Sequence, residues 1–204
     1  MRLGGDSRAM TPEVNIMESF HSSAVALSII LGLAVARLLS SAVAAFKSRN
    51  RAKLTWMPFV WAGCIFLWQL QYWWAIIELP RVINIWTLGA FMVLVSLALL
   101  LFVSASLILP SSELGEHDDR NELFEHNGQW ALVSLSLYFG TAIFADWLLW
   151  NMSPLSTPGA FNIALFVLPL VFVLSRSKRV QEAITLLYVP LSVWAALILS
   201  PASY

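Results

Sequence analysis

The chain has 204 residues, 59% of them hydrophobic and only 12% charged. Soluble domains carry about 25% charged residues, so this chain has too few ionic groups to cover a surface in water. Twelve basic and twelve acidic residues cancel to a formal net charge of zero with no basic face, which removes nucleic acid from the expected partners. The mean hydropathy of +0.74 agrees, and the composition is that of an all-α, polytopic integral membrane protein, because helices are the only open-chain structure that satisfies its own backbone in lipid.

The chain opens on "MRLGGDSRAMTPEVNIMESF", polar and without an apolar core, so residues 1–19 read as a loose N-terminal tail. The apolar run that follows is too long for the core of a signal peptide. A hydrocarbon layer of ~30 Å takes about 20 apolar helical residues, and six segments meet or approach that length. They run at about Ser22–Phe46, Trp56–Leu79, Trp86–Leu109, Trp130–Asn151, Phe161–Ser175 and Glu182–Leu199, and Pro80, Pro110 and Pro201 close the second, third and last. The fifth and sixth are shorter and contain Pro169 and Pro190, which predicts tilt, a kink or shielding by neighbours. The whole chain is expected to form a single six-span bundle.

The basic residues set its direction. Lys47, Arg49, Arg51 and Lys53 follow the first span, and Arg176, Lys178 and Arg179 precede the sixth. Six alternating spans put both clusters on one side, the cytoplasmic one, so both termini are expected outside. Compactness points to a bacterial inner membrane. The cytoplasmic loop 111–128 is acidic and holds His117 and His126, but no metal-ligand spacing. It reads as a solvated loop, with "DRNELFEH" as a short surface helix.

Tryptophan follows the same plan. Trp56 and Trp130 fall at cytoplasmic ends, and Trp73, Trp74, Trp86, Trp147 and Trp150 at outer ends, the pattern of interfacial anchors against membrane lipids. Trp61 and Trp68 lie deeper and are expected to pack between helices.

Charges inside a span cost about 2.5–3.5 kcal/mol each on insertion scales, so three stand out: Arg37, Glu78 and Asp146. Gln71, Trp74 and Glu78 share one helical stripe, while Gln69 points about 200° from Gln71 at 3.6 residues per turn. That stripe suits a polar helix contact or a wet vestibule, or Glu78 simply reaches the headgroups. Asp146, in "FADWLLW", is too short to snorkel and is expected to be paired or water-lined. Arg37 either snorkels to the cytoplasmic headgroups or is a buried cation. His21 begins the first span near the level of Glu78 and Asp146, as an interfacial residue or as part of a proton-responsive trio. Gly32 and Ala36 form a small-xxx-small pair that admits a close helix neighbour.

Over the first span, "ESFHSSAVALSIILGLAVARLL" resembles the first helix of the prokaryotic relatives of the endolysosomal potassium channel, which are short six-span proteins. Phe20-His21-Ser22 stands where that family carries Phe-Ser-Asp. The aspartate and the arginine before it are missing, so the chain is assigned to no family.

No nucleotide loop, nucleophile elbow or haem pattern occurs, and Cys64 is the single cysteine. No cofactor, metal or catalytic set is expected. The leading expectation is a small channel or transporter for protons, ions or a small solute, with Arg37, Gln71, Glu78, Asp146 and His21 along its path, alone or as a homo-oligomer. The alternatives are an accessory or sensor subunit of a larger membrane complex and, third, a membrane-embedded lipid enzyme.

Overall fold

The computed structural model describes residues 12–47, 56–79, 87–109, 127–150 and 156–199, with side chains at all of these but 12–19, 148–150, 157–158 and 199. It is all-helical over them. The helices are α1 (Pro12–Lys47), α2 (Met57–Glu78), α3 (Leu88–Leu107), α4 (Gln129–Trp150), α5 (Thr157–Leu174) and α6 (Lys178–Leu199). Five are long and apolar enough to cross a membrane, and the apolar stretch Gly159–Leu174 of α5 is shorter.

α1 starts at Pro12, inside the segment expected as a tail. Proline suits a first helical turn, where its missing N–H has no partner to lose. The 36 residues of α1 make a rod of ~54 Å at 1.5 Å per residue. Its buried positions are Leu27, Leu31, Ala34, Leu38, Ser41 and Ala45. These alternate steps of four and three, a narrow seam of the coiled-coil kind, so α1 touches the bundle along one edge only. α3 and α5 begin on side-chain caps: Thr87 accepts from the N–H of Ala90 at 3.1 Å and Ser156 from that of Gly159 at 3.3 Å, each serving a first-turn donor that the helix cannot. α6 begins at Lys178, before the apolar run at Glu182, because the helical backbone continues through the basic residues. α5 and α6 both run on past Pro169 and Pro190.

The packing order is a ring. α1 packs on α2 and α3, α3 on α4, α4 on α5, α5 on α6, and α6 closes on α2, which also touches α3. The contacts show the helices alternating up and down: the start of α2 meets the start of α6 and the end of α5 through Trp61, Thr185 and Phe172. The end of α4 meets the start of α5 through Asp146 and Asn162. Lys47, Arg176, Lys178 and Arg179 thus share one end of the bundle, called here the basic end.

The ring is filled from α2. Trp61, Cys64, Ile65, Trp68, Gln69, Tyr72 and Ile76 are all buried and occupy roughly 150° of the helix at 100° per residue. Trp61 stacks on Tyr188 at 4.5 Å and meets Phe172 edge-on at 5.5 Å, and Trp68 meets Phe139 edge-on at 4.8 Å. Tyr138 joins Phe139 at 5.1 Å and Tyr72 at 6.4 Å. Lipid is as apolar as these rings, so close dispersion contact, not escape from water, holds this core.

Candidate functional site

Three groups of polar side chains are buried along the axis of the ring, on α2, α4, α5 and α6. At the end opposite the basic one, the Asn162 amide donates to Asp146 Oδ2 at 3.1 Å. Asn162 is itself buried and Asp146 half-buried, so a carboxylate within an apolar helix is held by a neutral donor from the next helix.

At the basic end a chain of hydrogen bonds joins three helices. Trp61 Nε1 donates to Thr185 Oγ1 at 3.2 Å, and Thr185 Oγ1 donates to the Gln181 carbonyl at 2.8 Å. The Gln181 side-chain amide donates to the Ser175 carbonyl at 2.9 Å and reaches the Phe172 carbonyl at 3.5 Å. Both carbonyls lie at the end of α5, where the Phe172 carbonyl also accepts from the Ser175 N–H at 3.3 Å and the Ser175 carbonyl lies past the last helical turn.

Between the two ends lies the third group. Cys64 and Trp68 stand one turn apart on α2, and Tyr188 and Ser192 one turn apart on α6. The Tyr188 hydroxyl has Ser192 and Trp68 close enough to act on it as hydrogen-bonding neighbours, with Cys64 beside them, but none of these contacts reaches good hydrogen-bond geometry. Trp68 Nε1, Tyr188 OH and Ser192 Oγ find no hydrogen-bond partner among the described residues, although their residues are only 2%, 0% and 0% exposed. Both amide atoms of Gln69 and the Ser136 hydroxyl are in the same condition. A buried polar group left unpaired costs about 1–3 kcal/mol, and three such atoms at the central site call for a physical reason.

The Ser106 hydroxyl on α3 is likewise buried without a partner among the described residues, whereas other buried polar groups are satisfied locally. Tyr72 OH donates to the Leu94 carbonyl at 2.6 Å. Ser104 and Ser134 both donate to the Leu100 carbonyl at 2.9 Å, which ties α3 to α4.

Of the residues singled out from the sequence, Asp146 enters this column. Gln71 and Glu78 are half-buried, and His21 and Arg37 are exposed on α1. Gly32, Ala36 and Ser40 form an exposed stripe of α1, and Arg37 is exposed at its flank next to Ser40. Trp56, Trp73, Trp74, Trp130 and Trp147 are exposed, and Trp61 and Trp68 are buried between helices as expected. Trp86, the side chain of Trp150, and the acidic loop up to residue 126 with His117 and His126 lie outside the described residues.

Sequence reasoning set Gln69 aside for Gln71 and passed over Asn162, Thr185, Tyr188 and Ser192. A signal for Gln69 was present. It lies within about 60° of Tyr72 on the helical wheel, on the arc shared by Trp61, Ile65 and Trp68.

Comparison with protein-family models, with curated proteins and with solved structures finds no match to this chain.

Proposed function

We propose that the protein is a transporter or gated channel that moves a small species along the buried polar column, from Asp146 and Asn162 at one end to Thr185 and Gln181 at the other. The observation that carries this reading is the central group: the Trp68 indole N–H and the Tyr188 and Ser192 hydroxyls, fully buried and without a hydrogen-bond partner in good geometry among the described residues. Polar atoms in a membrane bundle that serve only packing find each other, as Trp61 and Thr185 do. Those kept unpaired at a cost of about 1–3 kcal/mol each are suited to a transient guest. The rings of Trp61, Trp68, Phe139 and Tyr188 pack closely across the column, so passage of anything larger than a proton needs α2 and α6 to part, as in a carrier or gated pore.

Asp146 is the entrance group in this reading, and Arg37 takes no part in the path. The exposed tryptophans anchor the bundle at the two membrane interfaces. Asp146→Asn in reconstituted liposomes is expected to abolish flux while the protein still elutes as a folded species. Unchanged flux would overturn the assignment.

A second reading, an accessory or sensor subunit, rests on the outward face of α1. There Gly32, Ala36 and Ser40 lie beside Arg37, all exposed, a surface that admits a close helix and offers it a cation. Purification in mild detergent separates the two: a stoichiometric partner protein favours the subunit, and a monodisperse single species favours transport.

A further inference from the structure

We infer that the species carried is the proton, relayed by hydroxyl groups and intervening water molecules through the site between Cys64 and Trp68 on α2 and Tyr188 and Ser192 on α6. This rests on the transport reading above and narrows it to one substrate class.

A relay needs groups that both donate and accept, which hydroxyls do and an indole N–H does not. The column places such groups along its length: the Asp146 carboxyl toward one end, Ser192 one turn from Tyr188 on that side, the Tyr138 and Tyr188 residues near the middle of α4 and α6, and Thr185 nearer the basic end of α6. Tyr138 is an electrostatic neighbour of both Asp146 and Tyr188 and lies about two turns from Asp146 along α4, so water would bridge the carboxyl end to the central site through it. The central site presents one fixed donor, Trp68 Nε1, and two donor–acceptors, Tyr188 OH and Ser192 Oγ, all unpartnered among the described residues. Water takes such a set because it needs two to four polar neighbours, and here it would accept from the indole and exchange protons with both hydroxyls. Metal or alkali cations are poorly served, since no carboxylate stands at the central site and an indole N–H turns its positive end toward the guest.

The step balances without a co-reactant. A proton binds the Asp146 carboxylate. Each oxygen down the chain accepts a proton on a lone pair and passes its own to the next, and at the basic end the Thr185 hydroxyl turns from the Gln181 carbonyl to hand one proton to water. No group is oxidised or reduced.

The test uses the full chain in phospholipid vesicles loaded with a pH-sensitive dye, with a potassium gradient and valinomycin to set the potential. Acidification faster than in protein-free vesicles is expected. Tyr188→Phe and Ser192→Ala should each slow it by about tenfold, the rate effect of one lost relay bond of roughly 1.4 kcal/mol. Tyr188→Phe keeps the ring that stacks on Trp61, so folding is preserved, and elution volume checks it. The same vesicles are shrunk osmotically with urea and glycerol. Solute flux without proton flux would overturn the proton inference and leave transport standing. No flux of any kind from folded protein would overturn both. Proton flux indifferent to Tyr188→Phe and Ser192→Ala would overturn the route.

Discussion

Gln69 shows at the level of a single residue how lipid changes the meaning of burial. It is 0% exposed, and neither amide atom has a hydrogen-bond partner among the described residues. Leucine has nearly the same volume and nothing to satisfy. If the amide is unpaired in the membrane as well, Gln69→Leu should stabilise the protein by about 1–3 kcal/mol, read as a higher thermal midpoint in detergent. A lower midpoint would show that the amide is bonded in the native bundle. Trp61 presents the opposite case, a polar atom with a partner. A double-mutant cycle of Trp61→Phe with Thr185→Val should give a coupling of about 0.6–1.5 kcal/mol, the range for hydrogen bonds between membrane helices. A coupling of zero would mean that the 3.2 Å contact contributes packing only. Trp61 and Trp68 could be read from the sequence as inter-helix residues because depth alone sets them apart from interfacial tryptophans. Gln69 could not be placed so easily. Both faces of α2 are apolar, one for lipid and one for protein, and periodicity does not say which is which.

Among the helices, one glycine makes room for a neighbouring helix's ring. A Cβ at Gly140 of α4 would meet Phe166 Cε2 at 3.1 Å, whereas Gly32 and Gly63 have nothing within 4 Å. The α4–α5 contact therefore uses the missing side chain, and the outward glycines of α1 and α2 serve no contact inside this chain. Gly140→Ala should destabilise by about 1–3 kcal/mol of overpacking, less the roughly 1 kcal/mol that alanine returns in helix propensity. Phe166→Leu in the same protein should restore the loss. Gly63→Ala should be neutral or stabilising, and a large loss there would show that the outward face of α2 is covered by another helix. The starts of α2 and α3 fall at Met57 and Leu88, beside the expected Trp56 and Trp86, whereas α5 starts at Thr157 on its Ser156 cap, before the expected Phe161. At α6 the apolar count and the helix diverge: lipid solubility stops near Glu182, but backbone hydrogen bonding continues to Lys178.

Among the described residues, Lys47, Arg176, Lys178 and Arg179 gather at one end of the molecule. Basic residues retained in the cytoplasm predict that a thiol placed at Ser177, in the short turn between α5 and α6, reacts with a membrane-impermeant maleimide only from the cytoplasmic side. His21→Cys should react only from the opposite side. Cys64, buried and the only cysteine, gives little background. Labelling of both from one face would refute the alternating layout.

Composition and run length by themselves determined that this chain is a helical membrane bundle, because a scarcity of charge and apolar segments about as long as the bilayer is thick admit no other structure. They also located Asp146 as a costly group in need of a partner. Only the tertiary structure decided that the partner is Asn162 and that Arg37 looks outward. It likewise decided that α2 turns Trp61, Trp68 and Gln69, not Gln71 and Trp74, into the ring. The reason is physical: in lipid the inner and outer faces of a helix are equally apolar, so the choice between them is made by the shapes of neighbouring helices, which no single segment encodes.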